Sequence, residues 1–490
     1  MYEWILSLLS IYSGYKIYKI FKCPPELAHI PRLDILTIFK IASTKDPFDV
    51  EMAKNVGPLL DKHGVVRWFS QHGWSILVAD PQLTKVIFNN PDIFEKDSNS
   101  AINANPHAIK FFGKEQIVNV NGEDWKRMRK LMNPIFHQTW PIQTLSQCTR
   151  DVIDSWSQTD GKGIDIRDNI QKMTLDVLGH TVFNMDFESV KNPDSKLYRI
   201  YHTASSELMG KLAYLFFPIL EKLPFFKRPE LHKQIDDYDN FVKELIVKKR
   251  AELKESPEIE KNDLLSKLIM ASMEDGKALM SEREIRDNLK SIFIAGHDTT
   301  SNTLTTTLYY LARYPEIQDK LRAEILGVMN NPQVLTNPTL EQLKQMDYLN
   351  MVIKESMRIM ATASVLERVA TKPFQLTNSL YIPARTAVFV MLWKVHHQSE
   401  YFAKPEVFDP ERFRDPASVE SKNWQPFITG PRACIGMTLS LIEQRISLVL
   451  LLQKFYFEID PSNPDYDRLR LNSSGMLCPK DLHLDIRQRI

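Results

Sequence analysis

The 490-residue chain predicts a mainly α-helical fold with a small β region in a single large domain, and three observations lead there. Apolar residues recur at helical spacing over long stretches, above all from Ile285 to Leu311 and at Ile435, Leu439, Ile442, Ile446 and Val449. Strand-like runs are short: one pair between Gly64 and Asp80, and a few more in the last third. No Gly/Ser-rich linker, repeat or low-complexity tract divides the chain, although its length could house two or three average domains. The balance of 62 Lys+Arg against 61 Asp+Glu leaves a net charge of +1, so no basic excess points to nucleic acid. Cys23, Cys148, Cys434 and Cys478 are widely separated and lack Cys-x-x-Cys spacing. That argues against a disulfide framework and a zinc site, and fits a reducing, cytosol-facing protein.

In chain order, Tyr2 to Phe21 is apolar and aromatic, interrupted or followed by Lys16, Lys19 and Lys22. Roughly 20 residues are needed to cross a bilayer, so this span suffices if the lysines snorkel to the interface. A secretory signal is the competing reading, but no small-residue cleavage site follows, and Pro24, Pro25 and Pro31 form a stiff hinge instead. The expected organisation is an anchor over 1–22, a proline-rich hinge over 23–33 and the main domain over 34–490. The lysines on the C-terminal side of the anchor place that domain in the cytosol.

Val65 to Phe69 and Trp74 to Val78, separated by a turn containing Gln71-His72-Gly73, predict a β-hairpin, and Asp80-Pro81 caps a short helix ending near Phe88. Glu123 to Leu131 is acidic at its start and basic later, as a helix prefers. Trp125 and Arg129, four apart, share one face of it. By residue type alone this is an arginine snorkelling past a half-buried tryptophan. From Cys148 to Arg250 the pattern is mostly helical, with Ile164, Ile170, Met173, Leu175 and Leu178 at or near helical spacing. Leu212 to Pro218 and Leu223 to Phe226 read mainly as core, and Lys248 to Lys261 as solvated surface and loop.

The segment Ile285 to Leu311 carries Ala295-Gly296-His297-Asp298-Thr299-Thr300 near its middle. Glycine and threonine weaken a helix interior, because Thr hydroxyls bond back to carbonyls one turn earlier. Such a defect marks either a kink with satisfied hydroxyls or a functional site. Glu355 and Arg358, three apart on a helix, are by spacing an ordinary ion pair. Short strands are expected around Leu366 to Val369, Tyr381 to Pro383 and Ala387 to Val390, and closing strands at Phe455–Asp460, Arg468–Leu471 and Leu482–Ile486.

Cys434 sits between Gly430 and Gly436, two residues after Arg432 and just before the apolar 435–449 helix. The glycines allow a tight loop and close approach of a flat ligand, and the helix N-terminus favours a thiolate. A small buried side chain at a helix start is the plain alternative.

The run Phe427-x-x-Gly-x-Arg-x-Cys-x-Gly436 closely resembles the haem-thiolate loop of the cytochrome P450 family, with one departure: the position after Phe427, commonly glycine there, is Ile428. The resemblance covers essentially residues 30 to 490 and extends to three further motifs. Ala295-Gly-x-Asp298-Thr299 resembles the oxygen-binding helix, Glu355-x-x-Arg358 and Pro410-Glu411-Arg412-Phe413 resemble the supporting motifs, and Trp125-x-x-x-Arg129 resembles the early propionate-binding pair. The double proline that often follows Glu-x-x-Arg is replaced by Ala361-Thr362-Ala363-Ser364.

The resemblance implies haem b ligated through iron by Cys434, with Trp125, Arg129, Arg368 and Arg432 at its propionates. Gly296 would leave room over the iron, while Asp298 and Thr299 relay protons to bound O2. A Glu355–Arg358–Arg412 network would support the loop, and His396 would lie near the haem edge; His297 receives no role. Electrons would come from NADPH through a separate reductase, since no flavin-binding Gly-rich segment is evident. The domain 34–490 would then be catalytic and face the cytosol from the endoplasmic-reticulum membrane, with segment 212–226 near the substrate entrance and the lipid. Residues 22–31 and 111–116 further resemble the fungal dityrosine-forming branch, which couples N-formyltyrosine for the spore wall. Hydroxylation of a fatty acid, sterol or xenobiotic is the alternative. A haem isomerase or dehydratase, or a non-catalytic haem sensor, represents other classes.

Overall fold

The computed structural model describes residues 22–43, 46–97, 100, 105–192, 195–210, 223–255, 263–271, 279–330, 334–472 and 476–489. The expected anchor lies outside the described residues apart from Lys22. Among the described residues no helix is long and apolar enough to cross a membrane.

A five-stranded sheet forms one edge of the fold, and the hairpin expected from sequence is its outer pair. Strands β1 (Val65–Ser70) and β2 (Gly73–Val78) pair antiparallel with Trp68 opposite Ser75. With β3 (Phe94–Glu95), β4 (Leu366–Ala370) and β5 (Ala387–Val390), the order across the sheet is β1-β2-β5-β4-β3. Asp80 caps the helix Pro81–Asn89 by accepting from the Gln82 and Leu83 N–H groups at 2.8 Å, satisfying orphan donors of the first turn. Within residues 23–33, Leu27, Ile30 and Leu33 are buried, and Pro31 and Leu33 bond the backbone of Arg67 in β1.

The helical body contains α1 (Gly122–Phe136), α2 (Ile142–Ser157), α3 (Ile166–Leu178), α4 (Lys196–Gly210), α5 (Pro229–Glu255), α6 (Glu282–Arg313), α7 (Asp347–Ile359) and α8 (Met437–Lys454). Helix α6 begins with a reciprocal capping box between Ser281 and Glu284. It is buried over most of its length, packs against α3 and touches α8, and so forms the spine of the domain.

Four expectations are corrected. Ile164 belongs to a two-residue strand paired with residues 483–484, not to a helix. Arg468–Leu471 forms no strand; only Leu471 makes an isolated bridge, to Pro479. Lys249, expected in solvent, is buried beside Asp263 and Glu252, because α5 continues to Glu255 and packs its inner face. Leu212–Pro218 lies outside the described residues, but Leu223, Phe225 and Phe226 are exposed rather than core, Phe225 at 96 %.

Candidate functional site

The loop before α8 presents Cys434 to an internal slot. Its Ala433 N–H bonds to the Gly430 carbonyl at 3.0 Å and its Cys434 N–H to the Phe427 carbonyl at 3.1 Å. Gly430 has φ of 76° and passes so close to the helix Pro81–Asn89 that an added Cβ would lie 2.5 Å from the Phe88 carbonyl oxygen. Glycine is required there on both counts. Ile428, at the position where the family commonly has glycine, also adopts a left-handed φ of 55°, a strained state for a β-branched residue.

The Cys434 side chain is accessible, although protein encloses it on its other sides. Burial therefore pushes the thiol above its ordinary value, opposed by the Gly436 N–H and the positive charge of Arg129. The expected thiolate preference is thus present as a bias from these two groups, but desolvation outweighs it in the protein alone.

The middle of α6, which meets the start of α8 through the Thr300 and Ser440 hydroxyls 2.9 Å apart, carries a second accessible patch. Ala295 is exposed and Thr299 half-exposed, although most of this helix is buried, so one face of it borders open space. The Thr299 hydroxyl donates to the Ala295 carbonyl at 2.9 Å, and Thr303, Thr306 and Thr307 bond back in the same way. Gly296, beside it, is half-exposed. A Cβ there would lie 2.6 Å from Leu178 Cδ1, so its lack of a side chain serves the packing of α6 on α3 and not room over a metal. Asp298 is held from the far side: Oδ2 accepts from Tyr201 at 2.6 Å and Oδ1 from Gln171 at 3.2 Å. His297 is buried, with Nδ1 2.6 Å from the Phe293 carbonyl and Nε2 3.3 Å from Asp298.

At the sheet edge of the slot lies a group of cations. Arg432 stacks 4.3 Å over the Trp125 ring and donates to Asn121 Oδ1 at 2.9 Å, while its Nη1 is buried without a hydrogen-bond partner. Arg368 is 2 % exposed; Nη1 donates to the Glu367 carbonyl and Nη2 has no partner. Burial, reinforced for Arg368 by the charge of Arg432, brings each of these guanidiniums down to about 10. Lys96 completes the group: burial, then Arg368 and Arg432, hold its ammonium well below its ordinary value. Its backbone is tied to Asn121 by two hydrogen bonds of 3.0 and 2.9 Å. Arg129 is likewise lowered by burial, and feels the Cys434 sulfur. Among the described residues no carboxylate forms an ion pair with any of these four cations.

A slot with a bare thiol on its floor and orphaned, desolvated cations at one edge fits a flat dianionic metal complex. The residues present therefore fit haem b, with Cys434 able to ligate iron and the cations able to receive the propionates. Sequence reasoning found Trp125, Arg129, Arg368 and Arg432 but missed Lys96. That residue follows a two-residue strand in an irregular segment and carries no motif or spacing.

Behind the loop, two buried guanidiniums share one carboxylate and the rest of their donors meet backbone carbonyls. Arg358 donates to Glu355 at 2.7 and 2.9 Å, Arg412 Nε donates to Glu355 Oε1 at 3.1 Å, and the Asp409 N–H reaches the same oxygen at 2.9 Å. Arg358 Nη1 also donates to the His396 carbonyl at 3.0 Å. His396 is buried. Burial lowers its imidazole to about 3, leaving Nε2 neutral to accept the Gln425 N–H at 3.0 Å. Gln425 in turn receives the Ile428 N–H at 3.0 Å, so the chain of bonds runs from Glu355 into the cysteine loop.

Comparison with known proteins agrees with this geometry. Residues 35–484 match the family model for cytochrome P450. The chain is 30% identical over 386 residues to cytochrome P450 3A5 of Homo sapiens, covering 75% of this chain and 74% of that one. It is 27% identical over 406 residues to cytochrome P450 716A67 of Medicago truncatula, covering 79% and 74%. To the cytokinin hydroxylase of Arabidopsis thaliana it is 28% identical over 353 residues, covering 71% and 67%.

Proposed function

Because the chain belongs to the cytochrome P450 family of haem-thiolate monooxygenases and oxidases, we propose that Cys434 would ligate the iron of a haem b and that Lys96, Trp125, Arg129, Arg368 and Arg432 would hold its propionates. The observation that carries this reading is an accessible cysteine sulfur near buried and half-buried cations that make no ion pair among the described residues. Bound there, haem supplies oxygen activation, its thiolate ligand favouring O–O cleavage. The protein's part is to hold and deliver. The Gly436 N–H and Arg129 favour the anionic sulfur. The Thr299 hydroxyl, its proton directed to the Ala295 carbonyl, turns its lone pairs outward to receive a proton or an ordered water. Asp298 Oδ1, held less closely by Gln171 than Oδ2 is by Tyr201, is the atom placed to pass that proton on.

Electrons come from NADPH through a partner reductase. The anchor over 1–22 holds the domain, from its packed start at residue 23, on the cytosolic face of the endoplasmic reticulum, and the exposed Leu223, Phe225 and Phe226 rest toward the membrane. For the substrate we favour oxidative coupling of N-formyltyrosine to bisformyl dityrosine, as the resemblance to the fungal branch implies. Hydroxylation is the second reading, favoured by similarity to a protein named as a hydroxylase.

The test is product analysis by mass spectrometry, with the reconstituted protein supplied with reductase, NADPH, oxygen and N-formyltyrosine. A dimer short of two hydrogens and lost on Cys434→Ser establishes coupling, whereas a monomer gaining one oxygen establishes hydroxylation. Absence of reductase-dependent oxygen consumption with any substrate overturns the oxidoreductase reading in favour of an isomerase, a dehydratase or a sensor. Thr299→Ala should keep oxygen consumption but lower product per oxygen.

A further inference from the structure

A second cavity, of about 240 Å³, lies among α3, α4, α6 and residues 472, 476 and 478–480, and none of its lining residues comes from the cysteine loop. Its walls carry two cations, Arg167 and Lys480, together with His202, Tyr201, Asp298 and Asn302. The one carboxylate in the wall is already engaged, since both oxygens of Asp298 accept bonds from Tyr201 and Gln171. Neither cation takes part in an ion pair among the described residues. Arg167 makes a long 3.7 Å contact to Cys478 Sγ, and its Nε is buried without a hydrogen-bond partner. Asn302 is 2 % exposed, and its Oδ1 is likewise without a partner. His202 is held below its ordinary value by burial and by Arg167, so it is neutral at pH 7 and can donate one hydrogen bond.

We propose that this cavity receives the carboxylate of the substrate, so that the substrate class is a monocarboxylic acid with an apolar or aromatic body. The inference rests on the haem-thiolate reading of the neighbouring slot. The partly buried Arg167 guanidinium, with its Nε unsatisfied, and a neutral imidazole match a carboxylate's acceptors, with the exposed Lys480 ammonium at the rim, whereas an uncharged head group would leave the guanidinium unanswered. The cavity volume is below that of a typical whole-ligand pocket of ~300–1,000 Å³, so the rest of the molecule must extend beyond it. Asn302 lies three residues after Thr299, about 60° around the helix, so a body leaving the cavity along α6 runs toward the Ala295–Thr299 face of the slot.

Isothermal titration with laurate and its methyl ester, and with N-formyltyrosine and its methyl ester, tests this on the full-length haem-loaded protein. In the wild type at least one acid should bind ~10-fold or more tightly than its ester, as a charge-assisted contact provides. Which acid does so distinguishes a fatty acid from an acylated amino acid. The preference should disappear in Arg167→Gln/Lys480→Gln and survive in Arg167→Lys. Acids and esters binding equally, no binding of either acid, or a preference retained in the double variant each overturns the proposal. The thiolate-type spectrum of the reduced carbon-monoxide complex, recorded on the same samples, reports the slot separately. Its presence with no acid preference sinks only the carboxylate site, and its absence sinks the reading on which that site rests.

Discussion

Two groups of buried arginines flank the cysteine loop, and they differ in one respect that separates scaffold from site. Behind the loop, Arg358 and Arg412 share Glu355, and their remaining donors are taken up by carbonyls of Ala403, Val407 and His396. In front of it, Arg368 and Arg432 each keep a buried nitrogen without a partner, and Lys96 stands beside them. Both groups carry the desolvation cost of buried charge, but only the rear group offsets it within the chain. A buried cation with no ion-pair partner among the described residues is able to receive an anion from outside the chain.

Unpairing the rear group should have the largest effect. Glu355→Gln leaves two guanidiniums buried beside a neutral amide, and should lower unfolding stability by ~3–5 kcal/mol, read as the midpoint shift in denaturant. A loss below ~1 kcal/mol, the range of exposed pairs, would mean the network is not what holds the loop. Next in size, Gly430→Ala forces a Cβ against the Phe88 carbonyl at a left-handed φ, and should cost ~2–3 kcal/mol. The same unfolding curves detect it, together with a lowered yield of thiolate-type spectrum as the loop shifts.

The front group should behave oppositely. Arg432→Leu removes a buried charge with no ion-pair partner, so the haem-free protein should be unchanged or up to ~1 kcal/mol more stable. Haem affinity should fall by ~1.5–3 kcal/mol, roughly 10- to 150-fold, as for a hydrogen bond to a charged group. Haem transfer to an apo-acceptor measures the second quantity and thermal melts the first. Destabilisation of the haem-free protein comparable to that of Glu355→Gln would erase the distinction.

Sequence alone disclosed most of this arrangement where a motif or a period carries it. The 435–449 apolar spacing located α8, whereas residue type and spacing alone left Trp125 and Arg129 a snorkelling pair and Glu355 and Arg358 an ordinary ion pair; it was the resemblance to the family that singled these residues out together with Cys434, Arg432 and Arg412. What stayed hidden depends on direction. Gly296 was read as space over a metal because spacing does not reveal which way a helix face turns, and the structure turns it onto Leu178. His396 was placed at the haem edge, yet its ring supports the loop from behind through Gln425. Tyr201 and Gln171 reach Asp298 from other helices across 97 and 127 residues, beyond any local pattern. Arg468–Leu471 looked like a strand, but strand character needs a neighbour, and only Leu471 finds one.

The smallest predicted effect concerns the residues that aim the front group. Lys96 and Arg368 are each followed or preceded in sequence by an acid, Asp97 and Glu367, and His72 from the β1–β2 turn lies 3.4 Å from the first and 2.5 Å from the second. The hydrogen bond to Glu367, then the charges of Glu367 and Asp97 against an opposing burial effect, raise the His72 imidazole above its ordinary value. A histidine whose folded value exceeds its unfolded value of about 6.5 contributes stability that is complete below that pH. The contribution is lost as pH rises through the folded value. The melting-temperature difference between wild type and His72→Gln should therefore be largest below about pH 6.5 and shrink as the solution becomes alkaline. The effect should stay below ~1 kcal/mol because the pair is partly solvated. A pH-independent difference would mean that His72 acts through packing alone. Haem affinity following the same pH trend would show that this clamp fixes the strand and loop from which Arg368 and Lys96 project.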